Sequence, residues 1–359
     1  MKVGGVAHRA IHEAGDGLAV MVIDQTALPG RFAEVRLATL EQAATAIRTM
    51  QVRGAPLIGV TAAYGMALGL GADPSDQGVA RAAATLCATR PTAINLGWAT
   101  ARIADLVRPL PPAERASAAW AAAGEMAEAE VAACEAIGRH GAELLRARLA
   151  SRQGGEPLNV LTHCNAGWLA TVDWGTALAP IYRLHDEGAP LHVWVSETRP
   201  RNQGLLTAWE LGEHGVPYTL IVDNAAGLLM QRGRVDLCLV GTDRTLRRGD
   251  VTNKIGTYLK ALAAKESEVP FYAAVPSPSI DWSLSEAAAI PIEERDPREV
   301  LTTPGVAAHN PGFDITPARL VTGLITERGV CYASEEGLLS LFPEHRNDPG
   351  GSSPSRPGR

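Results

Sequence analysis

Cysteine is scarce in this chain. The 359 residues hold five, Cys87, Cys134, Cys164, Cys238 and Cys331, and no pair forms a C-x-x-C. An odd count at wide spacing excludes a disulfide framework and a cysteine zinc site, and predicts reduced thiols in a cytoplasmic protein. Long charge runs are missing as well. The net charge of −6 is thinly spread, which argues against nucleic-acid and membrane-surface partners. No apolar stretch is expected to reach the roughly 18 residues of a bilayer span. The opening MKVGGVAHRAIHEAGDG lacks the apolar centre of a signal peptide. Neither G-x-G-x-x-G nor G-x-x-x-x-G-K-[ST] occurs, so dinucleotide and P-loop readings have no support.

What is present is ample core material. Apolar residues make up 46% and charged residues 20%, as in a globular protein, and the length predicts about two domains. Residues 18–38 predict a hairpin around Pro29-Gly30. From 39 to 150, alanine and leucine at helical spacing predict helices, and SRQGGEPLN (151–159) breaks the pattern as a junction would. Beyond it come short apolar runs: LNVLT (158–162), LHVWVS (191–196), YTLIV (218–222), LCLVG (237–241) and FYAAV (271–275). Helices are expected to start between them near Ala166, Gln203, Ala225 and Asn253. Continuous apolar strands alternating with helices predict a parallel sheet covered on both faces. The reading is therefore α/β: a mainly helical domain with a small β element (1–150), a parallel-sheet domain (151–345) and a disordered tail from 346.

Each strand of the sheet domain ends in a polar cluster: HCN (163–165), SETRPRNQG (196–204), DNAAG (223–227), GTDRTLRRGDVTNK (241–254) and PSPS (276–279). Ligands of open parallel sheets sit outside the carboxyl ends of the strands, so these clusters predict one pocket. A phosphate would suit it. Asn253-Lys254 are expected to open a helix, whose free N–H groups and dipole attract anions. Arg53-Gly54-Ala55-Pro56 precede a helix from Leu57, and Gly54 would let backbone approach an anion closely; a plain helix–helix turn reads the same way. Cys164 ends a strand, where an inert buried thiol is the commonest reading. His163 should point away from it, since neighbouring strand residues alternate. Asp173-Trp174 are expected on the helix after Cys164, and Glu197 with Arg201 reads as a structural ion pair.

Seven segments resemble the methylthioribose-1-phosphate isomerases, a family related to the regulatory subunits of translation initiation factor 2B: RGAPLIGV (53–60), RPTAINLGWA (90–99), THCNAGWLAT (162–171), SETRPRNQGLLTAWEL (196–211), VDNAAG (222–227), VGTDRTLRRGDVTNKIGTYLKALAAK (240–265) and NPGFDITPARLVTGLITERG (310–329). The resemblance implies a Rossmann-like C-terminal domain, a homodimer and no cofactor or metal. It implies that a sugar phosphate is held by Arg53, Gly54, Ala55, Arg90, Gln203, Asn253 and Lys254. Cys164 matches the family's catalytic cysteine and Asp243 its proton donor. The family often has Thr where this chain has Ala166; Trp168 either packs behind the loop or shapes the pocket. Asn224, after a strand end, is a further candidate for a sugar hydroxyl.

The implied substrate is a furanose whose anomeric carbon carries phosphate, so the ring must open before aldose becomes ketose. Asp243 would protonate the ring oxygen, which needs a carboxyl pKa raised by burial. Arg244 would oppose that unless it points away. Cys164 would relay a proton between C2 and C1, or stabilise charge during a hydride shift. Related 1-phosphates, of 5-deoxyribose or of ribose 5-phosphate, are alternative substrates, and a non-catalytic regulatory subunit is a third reading. Tyr64 and Trp98 are apolar candidates for the methylthio slot.

Overall fold

The computed structural model describes residues 1–90, 93–152, 155–284 and 286–348. A two-stranded ribbon, β1 (Lys2–Val3) with β2 (Val6–Ala7), leads into an antiparallel sheet of β3 (Ile11–Glu13), β4 (Val20–Ile23) and β5 (Glu34–Leu37). The expected hairpin is the β4–β5 pair, and β3 adds to it a strand that the sequence reading lacked. Five helices follow: α1 (Leu40–Arg48), α2 (Ala55–Ala72), α3 (Asp76–Cys87), α4 (Ile94–Val107) and α5 (Pro112–Ala150). Their starts are chemically marked. Thr39 and Ser75 cap α1 and α3 through their hydroxyls, and α5 opens on Pro112, whose missing N–H costs nothing there.

Helix α2 corrects one expectation. By length and composition, Ala55–Ala72 is apolar enough to cross a bilayer. It is instead a core helix, buried along most of its length against α1, α3, α4 and α5. An evenly apolar circumference suits a helix with neighbours on every side.

The second half is built on β6 (Leu158–Thr162), α6 (Ala179–Asp186), β7 (Leu191–Ser196), α7 (Gly204–His214), β8 (Tyr218–Ile221), α8 (Ala225–Gln231), β9 (Leu237–Val240), β10 (Arg244–Leu246), β11 (Val251–Lys254), α9 (Thr257–Glu266), β12 (Phe271–Ala274), β13 (Ile280–Asp281), β14 (Phe313–Thr316), β15 (Gly323–Thr326), β16 (Gly329–Cys331) and α10 (Glu335–Leu341). The main sheet runs β16-β15-β12-β9-β6-β7-β8 and is parallel except at β16. Counted along the chain, its parallel strands lie in the doubly-wound order 3-2-1-4-5-6. The order reverses between β6 and β9, where such folds place their ligands. Both faces are covered: Leu237 and Leu239 of β9 join the core shared with the helical half, while Cys238 and Val240 join a second core beneath α8, α9 and α10.

Three expectations fail locally. No helix starts at Ala166; residues 163–178 form an irregular loop with one 3-10 turn, Trp168–Ala170, and α6 begins only at Ala179. Asp173 therefore lies on a loop, where it holds the Met1 ammonium at 2.6 Å. Asn253 and Lys254 do not open a helix. They end β11, in a side sheet of order β13-β10-β11-β14 that the sequence reading did not foresee. Val251 and Thr252 are β-branched and pair with Thr316 and Ile315, which outweighs the helical look of the following residues. The tail expected from 346 lies, from 349 onward, outside the described residues.

Candidate active site

The tips of β6 and β9 face one pocket. Its lining includes Cys164 and Asn165 from the first tip and Gly241, Thr242 and Asp243 from the second. The side sheet adds Thr252, Asn253 and Lys254, the helical half adds Arg53, Gly54, Ala55 and Arg90, and α7's leading residue adds Gln203. Every expected site residue but one is gathered here. Asn224 is the exception: it is exposed, stands just ahead of α8 and does not reach the pocket. Nor do all five polar clusters converge. Asp223 of the third sits behind the site, and the fifth, PSPS, turns to a separate cavity of about 680 Å³ that Trp98 also lines. Tyr64 points elsewhere, donating to Glu13.

Cys164 is held under strain. Its φ of +67° is left-handed, as is Thr198 at +65°, a conformation that costs a residue with a side chain on the order of 1–3 kcal/mol and marks functional sites. Two hydroxyls fix it: Cys164 N–H donates to Thr198 Oγ1 at 2.8 Å, and Thr207 Oγ1 donates to the Cys164 carbonyl at 2.7 Å. Thr198 is anchored in turn by Asp223, which accepts its N–H at 2.9 Å. His163 also borders the pocket, but its ring turns toward Ile255, with Nε2 2.8 Å from that residue's carbonyl. Burial, helped by Lys260, drives its pKa down to about 3, so it is uncharged at neutral pH and only a weak base.

The loop after Cys164 wraps a buried carboxylate. Glu210 accepts from Asn165 Nδ2 (2.9 Å), the N–H groups of Trp168 and Leu169 (both 3.0 Å) and the Tyr182 hydroxyl (2.9 Å). Burial raises it to about 7 against the pull of those donors. Trp168 packs behind the loop against Trp209 and is absent from the pocket wall.

The electrostatics suit a phosphate beside an acid. Arg53 and Lys254 have no carboxylate within ion-pair distance among the described residues. Burial lowers Arg53 to about 10, Cys164 raising it and Arg201 lowering it further, which leaves it charged at neutral pH. Lys254 donates to the Gly312 carbonyl at 2.7 Å and lies 4.2 Å over the Phe313 ring. Gly54 has φ +98°, and a Cβ there would collide with the Ala170 backbone. That glycine brings the first N–H groups of α2 to the pocket, and no side chain caps them, leaving an anion cradle. The dipole of α9 is not available for this, because Asp314 already accepts from Gly256 and Tyr258.

Burial pushes the Asp243 carboxyl above its usual range while Lys254 and Arg90 pull it down. Arg244 also lines the pocket, so it does not simply point away as expected, but its guanidinium pairs with Asp281 at 3.3 Å and is not among the charges that lower Asp243. Burial also raises the Cys164 thiol, more than Lys254 and Arg53 lower it. Arg90 pairs with Glu293 at 3.1 Å, and Arg201 pairs with Glu299 rather than with Glu197. The apolar wall is Met50, Pro56, Ile58, Ile290, Pro291 and Phe313. The sequence reading missed it, together with Thr198, Thr207 and Glu210. A carboxyl raised by burial, a neutral thiol, two cations and an apolar wall around one space can bind a phosphorylated sugar and move its protons.

Residues 51–333 match the Initiation factor 2 subunit family. A methylthioribose-1-phosphate isomerase of Methylorubrum populi is 61% identical, across 96% of this chain and 99% of its own. A solved 5-methylthioribose 1-phosphate isomerase from Pyrococcus horikoshii is 39% identical with a TM-score of 0.83, over 94% of this chain and 96% of its own. A structure from A. fulgidus titled translation initiation factor eIF-2B, subunit delta, is 38% identical with a TM-score of 0.79, over 94% and 100%. The chain belongs to the Initiation factor 2 subunit family, in the branch that its methylthioribose-1-phosphate isomerase relatives occupy.

Proposed function

We propose that this chain isomerises 5-methylthioribose 1-phosphate to 5-methylthioribulose 1-phosphate, an aldose–ketose conversion of methionine salvage. The observation that carries the reading is the meeting of Cys164 and Asp243 at the switch point of the sheet, beside Arg53 and Lys254, which form no ion pair among the described residues. The phosphate sits on Arg53, the α2 N–H groups at Gly54 and Ala55, and Lys254, with Arg90, Gln203 and Asn253 around it. The methylthio group lies against Ile58, Ile290, Pro291 and Phe313.

Asp243, whose burial favours its protonated form, gives its proton to the ring oxygen as the C1–O bond breaks. Hydrogen then passes from C2 to C1 and the C2 hydroxyl becomes a ketone. The proton lost from that hydroxyl balances the one Asp243 gave. A thiol raised by burial starts as neutral S–H and not as a base, which favours a hydride shift with Cys164 steadying the developing charge over a proton relay through it.

A second phosphate at C5 finds no support, since Arg90 is placed at the first phosphate, Arg244 is paired with Asp281, and Ile58, Ile290, Pro291 and Phe313 are apolar. The exposed apolar side chains of Tyr218, Leu220, Val222 and Leu228, on and beside edge strand β8, support a homodimer. Five free cysteines support a reducing, cytoplasmic setting.

NMR of the purified protein with methylthioribose, 5-deoxyribose and ribose 5-phosphate carrying a 1-phosphate tests the reading. Turnover of the first is expected; turnover of none overturns it. Cys164→Ser and Asp243→Asn are each expected to lower kcat by at least about 100-fold with unchanged melting and sedimentation.

A further inference from the structure

Among the described residues, ten buried side-chain polar atoms have no hydrogen-bond partner, and four of them belong to pocket residues: Arg90 Nε, Asn165 Oδ1, Gln203 Oε1 and Thr252 Oγ1. Such atoms are rare, because an unpaired buried acceptor costs about 1–3 kcal/mol. Gln203 and Arg90 already belong to the expected phosphate site. Asn165 does not, and its orientation is fixed independently of any ligand. Its amide donates to Glu210 Oε1 at 2.9 Å and to Thr207 Oγ1 at 3.2 Å. Glu210 gathers four donors there, and the Thr207 hydroxyl hydrogen is spent on the Cys164 carbonyl, so both of Asn165's partners call for its NH2 and not its oxygen. Oδ1 is thereby turned the other way, on a residue that lines the pocket next in sequence to Cys164.

We infer that Asn165 Oδ1 is the acceptor for a secondary hydroxyl of the bound pentose, at O2 or O3, and that it sets specificity for that hydroxyl; the inference rests on the sugar-phosphate reading above. A fixed carbonyl accepts from an O–H and offers nothing to a C–H, so a site of this kind rejects the deoxy sugar more sharply than an apolar wall rejects an extra methylene. Glu210 is its positioning residue: it holds the amide and touches no substrate.

The test is binding, by calorimetry, in the Cys164→Ser background so that nothing turns over. The probes are methylthioribose 1-phosphate and its 2-deoxy and 3-deoxy analogues. With Asn165 in place, one analogue is expected to bind about 10- to 100-fold more weakly than the full sugar. Asn165→Ala should weaken the full sugar by a similar factor and leave that analogue's affinity unchanged. Which analogue behaves so identifies the hydroxyl. Asn165→Asp keeps Oδ1 in place and can share one proton with Glu210, and should restore the discrimination. Equal weakening of all three sugars by Asn165→Ala, the result of mere loop damage, overturns the inference, as does no change at all. Failure of the full sugar to bind with Asn165 intact overturns both this and the isomerase reading. Turnover by the unsubstituted enzyme with uniform weakening in Asn165→Ala overturns this one alone.

Discussion

The two shoulders of the pocket are built by opposite means. On the helical side, residues 53–55 present backbone: one glycine at φ +98° and the first turn of a buried helix. The side chains behind them are apolar and interlocked. On the sheet side, the strand tips present side chains, and those after β6 are steered by a buried polar relay: Thr198 and Thr207 on Cys164, Glu210 on Asn165, Asp223 on Thr198. Backbone donors at a helix end suit a constant group such as phosphate, since no rotamer has to be ordered. Side chains on polar relays suit the reacting carbons, where protonation states have to be tuned.

That contrast can be broken from either side. Gly54→Ala attacks the backbone shoulder. It forces a side chain onto φ +98° and against Ala170, and is expected to cost more than about 3 kcal/mol in denaturant unfolding and to raise KM at least about tenfold. A loss under about 1 kcal/mol would show a shoulder that yields. Glu210→Gln attacks the relay. It sets an amide against two backbone N–H groups and is expected to cost about 2 kcal/mol. Its pH signature is specific. Glu210 is raised from 4.5 to about 7, so between those values the folded state holds a proton that the unfolded chain has released, and stability falls as pH rises through the window. Glu210→Gln removes that slope, and the stability gap between the two proteins should narrow from pH 4.5 to 7; a constant gap would contradict the assignment. The smallest effect is expected outside both shoulders. Asn224→Ala should shift stability by under about 0.5 kcal/mol and leave KM untouched, and a raised KM would return Asn224 to the site.

The strands of the main sheet were legible because each is a short, continuous apolar run between breakers, and the polar tips were legible because they interrupt those runs. Their support was not. Thr207 and Glu210 lie on α7, more than forty residues from the loop they hold, and nothing in a local pattern marks them. The side sheet was hidden because VTNK runs straight into KIGTYLK, which has helical spacing; only the pairing of β11 with β14, some sixty residues on, reveals a strand. Ile290 and Pro291 sit in a stretch with no periodicity, so the apolar wall had no signature. PSPS looked like a fifth site loop, and the turn of its backbone sends it to another cavity.

Helix α2 is enclosed on every side, and this has a further consequence. A rod so gripped cannot slide or tilt without disturbing α1, α3, α4 and α5, so the end proposed to hold the phosphate is a fixed datum. Whatever adjusts to differing sugars has to do so at the opposite wall, where Ile290 and Pro291 hang on an irregular loop. On the proposed reading, substitutions in that loop are expected to change which sugar is preferred while leaving the affinity for the anion unchanged.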